Sequence, residues 1–244
     1  MKIVAVVSGG IDSVVMAHHL AAQGHELHLV SVDYGQRHSK ELLCAAATAR
    51  RLGAPYEQVD LRGLRAVMRG SSLTDPSVGV PRPDQPTVST GSTAPTANPN
   101  IVPNRNAVLL SVAFALAVSV SARAVSVGVM AEDVGPSDTS PEFLRKFLEM
   151  ERVATRGSVT EELELLAPLI ELPKRGVVAL GEELGVPWAE TWTCFRGEEV
   201  HCGACAACTE RRGAFASLGL TDPVPYREGE STNDLDGRHA ALGR

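Results

Sequence analysis

Apolar runs and amphipathic stretches alternate along the first sixty residues of the chain. The apolar runs span residues 2–7, 26–33 and 56–61, and the stretches between them, 13–23 and 39–52, are amphipathic. Strands joined by helices run parallel, and a parallel sheet is covered on both faces, so its strands contain few polar residues. The alternation therefore predicts an α/β fold with helices on both faces of a parallel sheet.

The pattern resumes after a long interruption. Residues 63–103 are rich in Pro, Ser, Thr, Gly and Asn, and a run of this length with little periodicity predicts either a disordered loop or a functional lid. Ser140 precedes Pro141 and is predicted to cap a helix. Beyond the interruption we predict strands at 124–130 and 167–170, and helices at 105–122, 141–157, 174–184 and 211–220.

The charge balance and the absence of long apolar runs bear on partners and location. The chain has 23 Lys and Arg against 29 Asp and Glu, a net charge of -6, which argues against a surface built for nucleic acid. It has no uncharged apolar stretch of about 18 residues and no signal-peptide pattern at its N-terminus. We therefore expect a cytoplasmic protein that acts on small molecules, without a membrane partner.

The hexapeptide SGGIDS, residues 8–13, lies between the first predicted strand and the first predicted helix. A turn at this position directs backbone N–H groups and two hydroxyls toward the positive end of the helix dipole, which favours phosphate. Glycine lets the backbone approach a phosphate closely. The hexapeptide matches neither the P-loop nor the dinucleotide-binding pattern. The alternative is an ordinary turn between a strand and a helix.

Four of the five cysteines lie close together, in the pattern Cys194-x7-Cys202-x2-Cys205-x2-Cys208. Four thiolates at these spacings favour a closed tetrahedral Zn²⁺ site, with an iron-sulfur cluster or unliganded thiols as alternatives. We expect His201 to be a bystander to this site, and Cys44 to be a core residue. His18 and His19 are expected on a helix surface.

In its strand-helix context, SGGIDS resembles the PP-loop of the N-type ATP pyrophosphatases, which transfer AMP to a substrate oxygen. The resemblance implies that Ser8, Ser13 and the Gly9 and Gly10 amides hold the β and γ phosphates of ATP. It also implies that Asp12 helps to position Mg²⁺.

Further motifs follow in the order VDYGQRH, VPNRN, APLIEL-x-K, TWTCF, CGACAAC and DP-x-x-Y. Together with SGGIDS they resemble the 7-cyano-7-deazaguanine synthase family from residue 3 to about 226. Members of this family adenylate the carboxylate of 7-carboxy-7-deazaguanine, and ammonia then displaces AMP to give the amide. A second ATP dehydrates the amide to the nitrile.

The resemblance implies a role for each matched residue of this chain. The implied fold is a Rossmann-like parallel sheet of the adenine nucleotide alpha hydrolase type, and the implied metal ligands are Cys194, Cys202, Cys205 and Cys208. The implied catalytic residues are Ser8, Asp12, Ser13, Arg105 and Lys174. The implied nucleotide-binding residues are Ser8, Gly9, Gly10, Ile11, Asp12, Ser13, Asp33, Tyr34, Gln36, Arg37 and Asn106.

The resemblance breaks in the loop AEDVGPSDTSPEF, residues 131–143, which lacks the tyrosines, cysteine and arginine usual in the family. Because this loop adjoins the deazapurine site in the family, an alternative function is a paralogue that joins the acyl group to another amine, such as a protein N-terminus. A tRNA-thiolating enzyme and a non-catalytic nucleotide-binding module are further alternatives. The excess of acidic residues argues against the tRNA-thiolating enzyme, and the intact SGGIDS motif argues against the non-catalytic module.

The expected organisation is one main domain with a small C-terminal region. We predict a PP-loop ATP pyrophosphatase domain over residues 1–190, with a long loop at 74–102. A zinc-binding region at 191–227 and a flexible tail at 228–244 complete the chain. The family resemblance also suggests a homodimer.

Overall fold

The structure is a computed structural model that describes residues 1–82, 98–133, 138–159 and 161–227. Parts of the predicted loop (83–97), the divergent loop (134–137) and the predicted tail (228–244) lie outside the described residues. The strands are β1 (Lys2–Val6), β2 (Glu26–Asp33), β3 (Tyr56–Asp60), β4 (Ala124–Ser126) and β5 (Glu164–Leu166). The α-helices are α1 (Ile11–Ala22), α2 (Glu41–Leu52), α3 (Arg105–Ser119), α4 (Pro141–Ala154), α5 (Lys174–Glu183) and α6 (Ala206–Ser217).

The five strands form one parallel sheet in the order β3-β2-β1-β4-β5. From β1 the chain adds β2 and β3 on one side and then crosses to add β4 and β5 on the other. In open α/β sheets the crevice at such a reversal, at the carboxyl ends of the strands, is where ligands bind. The α/β prediction is confirmed, and the turn after β1 lies at this crevice.

Helices cover both faces of the sheet, as predicted. On one face, Val14 of α1, Val177 of α5 and Phe215 of α6 belong to one buried apolar cluster. On the other face, Phe114 of α3 packs against Phe147 of α4 with ring centroids 6.0 Å apart. The sheet is therefore buried on both sides, which agrees with its nearly continuous apolar strands.

Some predicted boundaries differ from the structure. β4 ends at Ser126, four residues earlier than predicted. The chain then passes close to α1 at Gly128, where a Cβ would lie 3.0 Å from the Ser13 backbone. The prediction of a strand at 167–170 is wrong, since β5 ends at Leu166. α6 begins five residues earlier than predicted and so includes Cys208. The Ser140 cap is confirmed, because its hydroxyl accepts from the Phe143 N–H at 3.1 Å.

His18 was expected on a helix surface, and this prediction is wrong. Its side chain is buried, and neither ring nitrogen has a hydrogen-bond partner within the described part of the chain. α1 packs against both the sheet and α5, so most of its circumference is covered. Burial lowers the pKa of His18, which keeps the ring neutral. His19, on the more open side of α1, hydrogen-bonds to Gln23 at 3.0 Å.

Within the described ranges, the structure has no helix long and apolar enough to span a lipid bilayer.

Replacing Gly181 of α5 with alanine is expected to destabilise the protein. The new Cβ would lie 2.2 Å from Cη2 of Trp188 and 2.9 Å from Cγ2 of Val15, both core residues. Overpacking of this kind costs about 1–3 kcal/mol of unfolding free energy. Gly213→Ala in α6 is the matched control, because its Cβ would meet no atom within 4 Å. It is expected to stabilise the protein by about 0.4–1 kcal/mol. Equal denaturant midpoints for the two variants would contradict this packing.

Candidate active site

A cavity of about 590 Å³ opens at the carboxyl ends of β1, β2 and β4. Its apolar wall includes Val6, Val127 and Leu110, and its other walls carry charged and hydroxyl side chains. Nine of the residues predicted for the site line this cavity: Ser8, Gly10, Ile11, Asp12, Ser13, Tyr34, Arg105, Asn106 and Lys174. The chain folds so that segments from positions 8 to 174 meet in one place.

The SGGIDS loop forms the floor of the cavity and is held by its own hydroxyls. The Ser13 hydroxyl accepts from the Ser8 N–H at 3.1 Å and donates to the Gly10 carbonyl at 3.2 Å. The Ser8 hydroxyl lies 3.1 Å from that of Ser13 and accepts from the Gly10 N–H at 3.3 Å. The loop leads directly into α1, so its polar groups surround the positive end of a helix.

Gly9 does not line the cavity but makes the loop possible. It has a φ of 91°, and a Cβ on it would lie 2.0 Å from the Glu41 carbonyl oxygen. Only glycine accommodates both the left-handed backbone and this approach to α2.

Lys174, at the start of α5, reaches into the cavity and meets two carboxylates. Its Nζ lies 2.8 Å from each carboxylate oxygen of Asp12 and 3.4 Å from Oε2 of Glu210. Burial lowers the pKa of Lys174, but the charges of Asp12 and Glu210 outweigh it and the pKa is raised overall. The ammonium group therefore stays protonated beside the phosphate-type loop.

Arg105 and Asn106 enter the cavity from the first turn of α3. The positive charge of Arg105 interacts with the phenol of Tyr34, which directly follows β2. The Asn106 N–H donates to Oδ2 of Asp138 at 2.8 Å, which joins α3 to the described end of the divergent loop. The VPNRN and VDYGQRH motifs are thus brought together by side-chain contacts.

Four predicted residues, Gly9, Asp33, Gln36 and Arg37, do not line the cavity. Gln36 is buried behind it, where its side chain accepts from the Tyr34 N–H at 2.9 Å. Arg37 turns away and donates to the carbonyl oxygens of Asp75 and Val78. In this structure these residues support the end of β2 and the following loop.

Sequence reasoning missed several charged residues that line the cavity, among them Glu41 and Glu210. Burial raises the pKa of the Glu41 carboxyl to about 8. Burial also raises the pKa of Glu210, and the positive charge of Lys174 opposes this. Glu41 follows the end of β2 by eight residues and opens a helix, which is a signal that places it at the ligand-binding edge of a sheet. Glu210 gives no such signal, because α6 reaches the cavity only through tertiary packing.

The four cysteines of the C-terminal region form a compact, buried cluster. Their Sγ atoms all lie within 4.8 Å of one another, and Cys202 and Cys208 are separated by 4.0 Å. Zn–S bonds of about 2.3 Å in a tetrahedron require sulfur separations of this order. Backbone N–H groups of Cys202 and Cys205 point to cluster sulfurs at 3.3 Å, which favours thiolates. The arrangement fits a metal ion held by four sulfurs.

Two nearby residues stay outside this ligand set. His201 is not among the clustered ligands, and its Nε2 accepts from the Thr193 N–H at 3.2 Å. Cys44 packs against the cluster from α2 without joining it. Burial raises the pKa of the Cys44 thiol to about 11, so it is an unreactive packing residue.

The SGGIDS loop joins a central parallel strand to a helix and opens onto the crevice where the strand order reverses. A loop of this composition at this position defines the class of PP-loop nucleotide-binding α/β proteins. Within that class, the model of the queuosine biosynthesis protein QueC matches residues 2–219. The chain therefore belongs to the QueC family.

Named relatives cover nearly the whole chain. The 7-cyano-7-deazaguanine synthase of Rhizobium johnstonii is 41% identical over 244 residues, which cover 99% of this chain and 98% of that protein. The enzyme of the same name from Paracoccus denitrificans is 42% identical, over 94% of this chain and 95% of that protein. Among solved structures, the NMN synthetase of Francisella tularensis has 16% identity and a TM-score of 0.47, over 90% of this chain and 77% of that chain.

Replacing Cys205 with alanine is expected to abolish metal binding and to leave most of the protein insoluble. A metal site with four thiolates contributes directly to folding, and with only three thiolates the metal would lack its fourth protein ligand. Cys44→Ala is the control, because it removes a neighbouring thiol outside the cluster. It should retain the metal and the soluble yield. Elemental analysis of the purified proteins checks this, and wild-type protein without any bound metal would contradict the site.

Proposed function

We propose that this chain is a 7-cyano-7-deazaguanine synthase. The observation that carries the proposal is that the SGGIDS loop shares one cavity with Tyr34, Arg105 and Lys174, from three other motifs of the family. The proposed substrates are ATP with Mg²⁺, 7-carboxy-7-deazaguanine and ammonia. Its relatives with the same name, 41% and 42% identical, favour this function over a paralogue with another acceptor.

The reaction begins with adenylation. A carboxylate oxygen of the substrate attacks the α-phosphorus of ATP, and pyrophosphate leaves. Ammonia then attacks the acyl carbon and AMP leaves, which gives the amide after loss of a proton. In the second cycle the amide oxygen attacks the α-phosphorus of another ATP, and loss of AMP and two protons gives the nitrile. Each cycle converts one ATP to AMP and pyrophosphate.

The protein contributes charge stabilisation at fixed positions. The hydroxyls of Ser8 and Ser13 and the amide of Gly10 would bind the departing pyrophosphate, aided by the dipole of α1. The Lys174 ammonium, kept protonated by Asp12 and Glu210, would offset the charge that develops between the two phosphates. Arg105 would hold the substrate carboxylate or the AMP phosphate, and Asp12 would help to position Mg²⁺.

We further propose that the cysteine cluster holds zinc. When bound, Zn²⁺ at a closed four-thiolate site supplies structural cohesion and takes no part in the reaction. The region at 191–227 is proposed as the zinc-binding part of the chain, and residues 1–190 as the catalytic part. Elemental analysis that finds iron in place of zinc would contradict this assignment. A homodimer in the cytoplasm, without direct nucleic acid contact, is also proposed from the family resemblance.

Counting AMP against product tests the function. Incubation with ATP, Mg²⁺, 7-carboxy-7-deazaguanine and ammonium is expected to give the nitrile with two AMP per product, as measured by mass spectrometry and nucleotide chromatography. A substituted amide as the product, with one AMP formed per product molecule, would favour the paralogue that uses another amine as the acceptor. ADP as the nucleotide product, or no adenylation of this carboxylate, would contradict the proposed function.

Removing the Ser13 hydroxyl is expected to slow the adenylation step. One preorganised donor aimed at a leaving group contributes about 2 kcal/mol or more, so Ser13→Ala should lower kcat by about thirty-fold or more. Ser111→Ala, at an exposed serine of α3, is the control and should leave kcat unchanged. Pyrophosphate release measures the step, and equal rates for both variants would remove Ser13 from the mechanism.

A further inference from the structure

Among the described residues, five carboxyl groups line the cavity, and four of them contact the Lys174 ammonium or a backbone N–H group. Asp12 and Glu210 both contact the Lys174 ammonium. The other two accept from backbone N–H groups, Asp133 from Met130 at 3.2 Å and Asp138 from Asn106 at 2.8 Å. These carboxylates are therefore engaged in holding the site itself. The fifth carboxyl belongs to Glu41, the first residue of α2.

Glu41 is buried, and its two side-chain contacts both involve Oε1. The side-chain amide of Gln36 donates to Oε1 at 3.0 Å, and Nε2 of His38 lies 3.5 Å from it. Burial, with the charges of Arg105 and Arg37, lowers the pKa of His38 to about 3, so its ring brings no positive charge. No lysine or arginine within the described part of the chain lies within 4.0 Å of Glu41. Oε2 and the second lone pair of Oε1 therefore remain for a ligand in the cavity.

The proposed substrate presents hydrogen-bond donors on the edge opposite its reacting carboxylate. Its reacting carboxylate is attached to the five-membered ring and must meet the α-phosphate. The opposite edge, on the six-membered ring, presents two adjacent donors, N1–H and the 2-amino group. A carboxylate has only acceptors and matches two parallel N–H donors. Glu41 supplies this chemistry from the first turn of α2, and it is not part of the ion-paired group of Lys174, Asp12 and Glu210.

We propose that Glu41 recognises the guanine-type edge of the substrate by accepting hydrogen bonds from N1–H and the 2-amino group. This assignment rests on the proposed function and adds its specificity determinant. The raised pKa of about 8 fits the role, because the carboxyl of the free protein is close to the balance between protonated and ionised forms. Hydrogen bonds from the two N–H donors of the substrate stabilise the ionised carboxylate, so substrate binding shifts Glu41 to its ionised form.

The test compares 7-carboxy-7-deazaguanine with its analogue that lacks the 2-amino group. A site built to accept from that group leaves a buried acceptor unpaired with the analogue, so wild-type protein should prefer the complete substrate by about a hundredfold or more in kcat/KM. Glu41→Gln places an amide at the same position and should narrow this preference to below about tenfold. Dissociation constants measured by calorimetry without ATP should show the same preference for the complete substrate in wild-type protein. Glu41→Gln should narrow that preference in binding as well.

Glu210→Gln is the matched control, because it removes a carboxylate from the same cavity at the Lys174 end. It is expected to slow both substrates by the same factor and to keep the preference. If Glu41→Gln fails to fold, Glu41→Asp replaces it, because its carboxylate is one methylene shorter. This variant should also narrow the preference for the complete substrate over the analogue without the 2-amino group.

Three results would overturn the assignment of Glu41. One is a wild-type protein that uses both compounds equally. Another is a folded Glu41 variant that keeps the full preference. The third is a Glu210→Gln variant that loses the preference to the same extent as Glu41→Gln. A wild-type protein that neither binds nor adenylates 7-carboxy-7-deazaguanine would contradict the proposed function itself, and this outcome is distinct because it needs no variant.

Discussion

The turn after β1 is clamped between two distant parts of the chain, and the site depends on this clamp. On one side α2 approaches so closely that a Cβ on Gly9 would lie 2.0 Å from the Glu41 carbonyl. On the other side the Trp192 N–H donates to the Gly9 carbonyl at 2.9 Å, two residues before the first cluster cysteine. The loop is therefore held in one conformation by contacts from both sides.

The cysteine region is linked to the cavity through α6. This helix begins directly after Cys205, includes Cys208 and directs Glu210 toward Lys174. The next residue, Arg211, is fully buried, where its guanidinium makes two hydrogen bonds to Asp222 at 2.7 and 2.9 Å. A buried cation is tolerated only when it is paired and hydrogen-bonded, and this one is. A metal at the cluster would thus stabilise one wall of the site without touching the substrate.

Different kinds of residues were predictable to different degrees. Ser8, Ser13 and the four cysteines belong to short local patterns, in which residues that act together are neighbours in the chain. Glu210 could not be recognised in this way, because an acidic residue in a helix looks the same whether it faces water or a cavity. Glu41 has only the weaker signal of its position after β2 at the start of a helix. His18 was predicted at the surface because its side chain is polar, but the packing of α5 on α1 buries this position.

The sequence by itself determined the parallel α/β sheet, the glycine-containing turn between β1 and α1, and the four-sulfur cluster. Each of these follows from periodicity or from spacing within a few residues, where the chain has little freedom. Tertiary structure alone decided that Lys174 pairs with Asp12, 162 positions away, that Arg37 turns toward loop carbonyls, and that Glu41 lines the cavity. These features depend on which side chains meet across the carboxyl edge of the sheet, and that is settled only when all the elements are packed together.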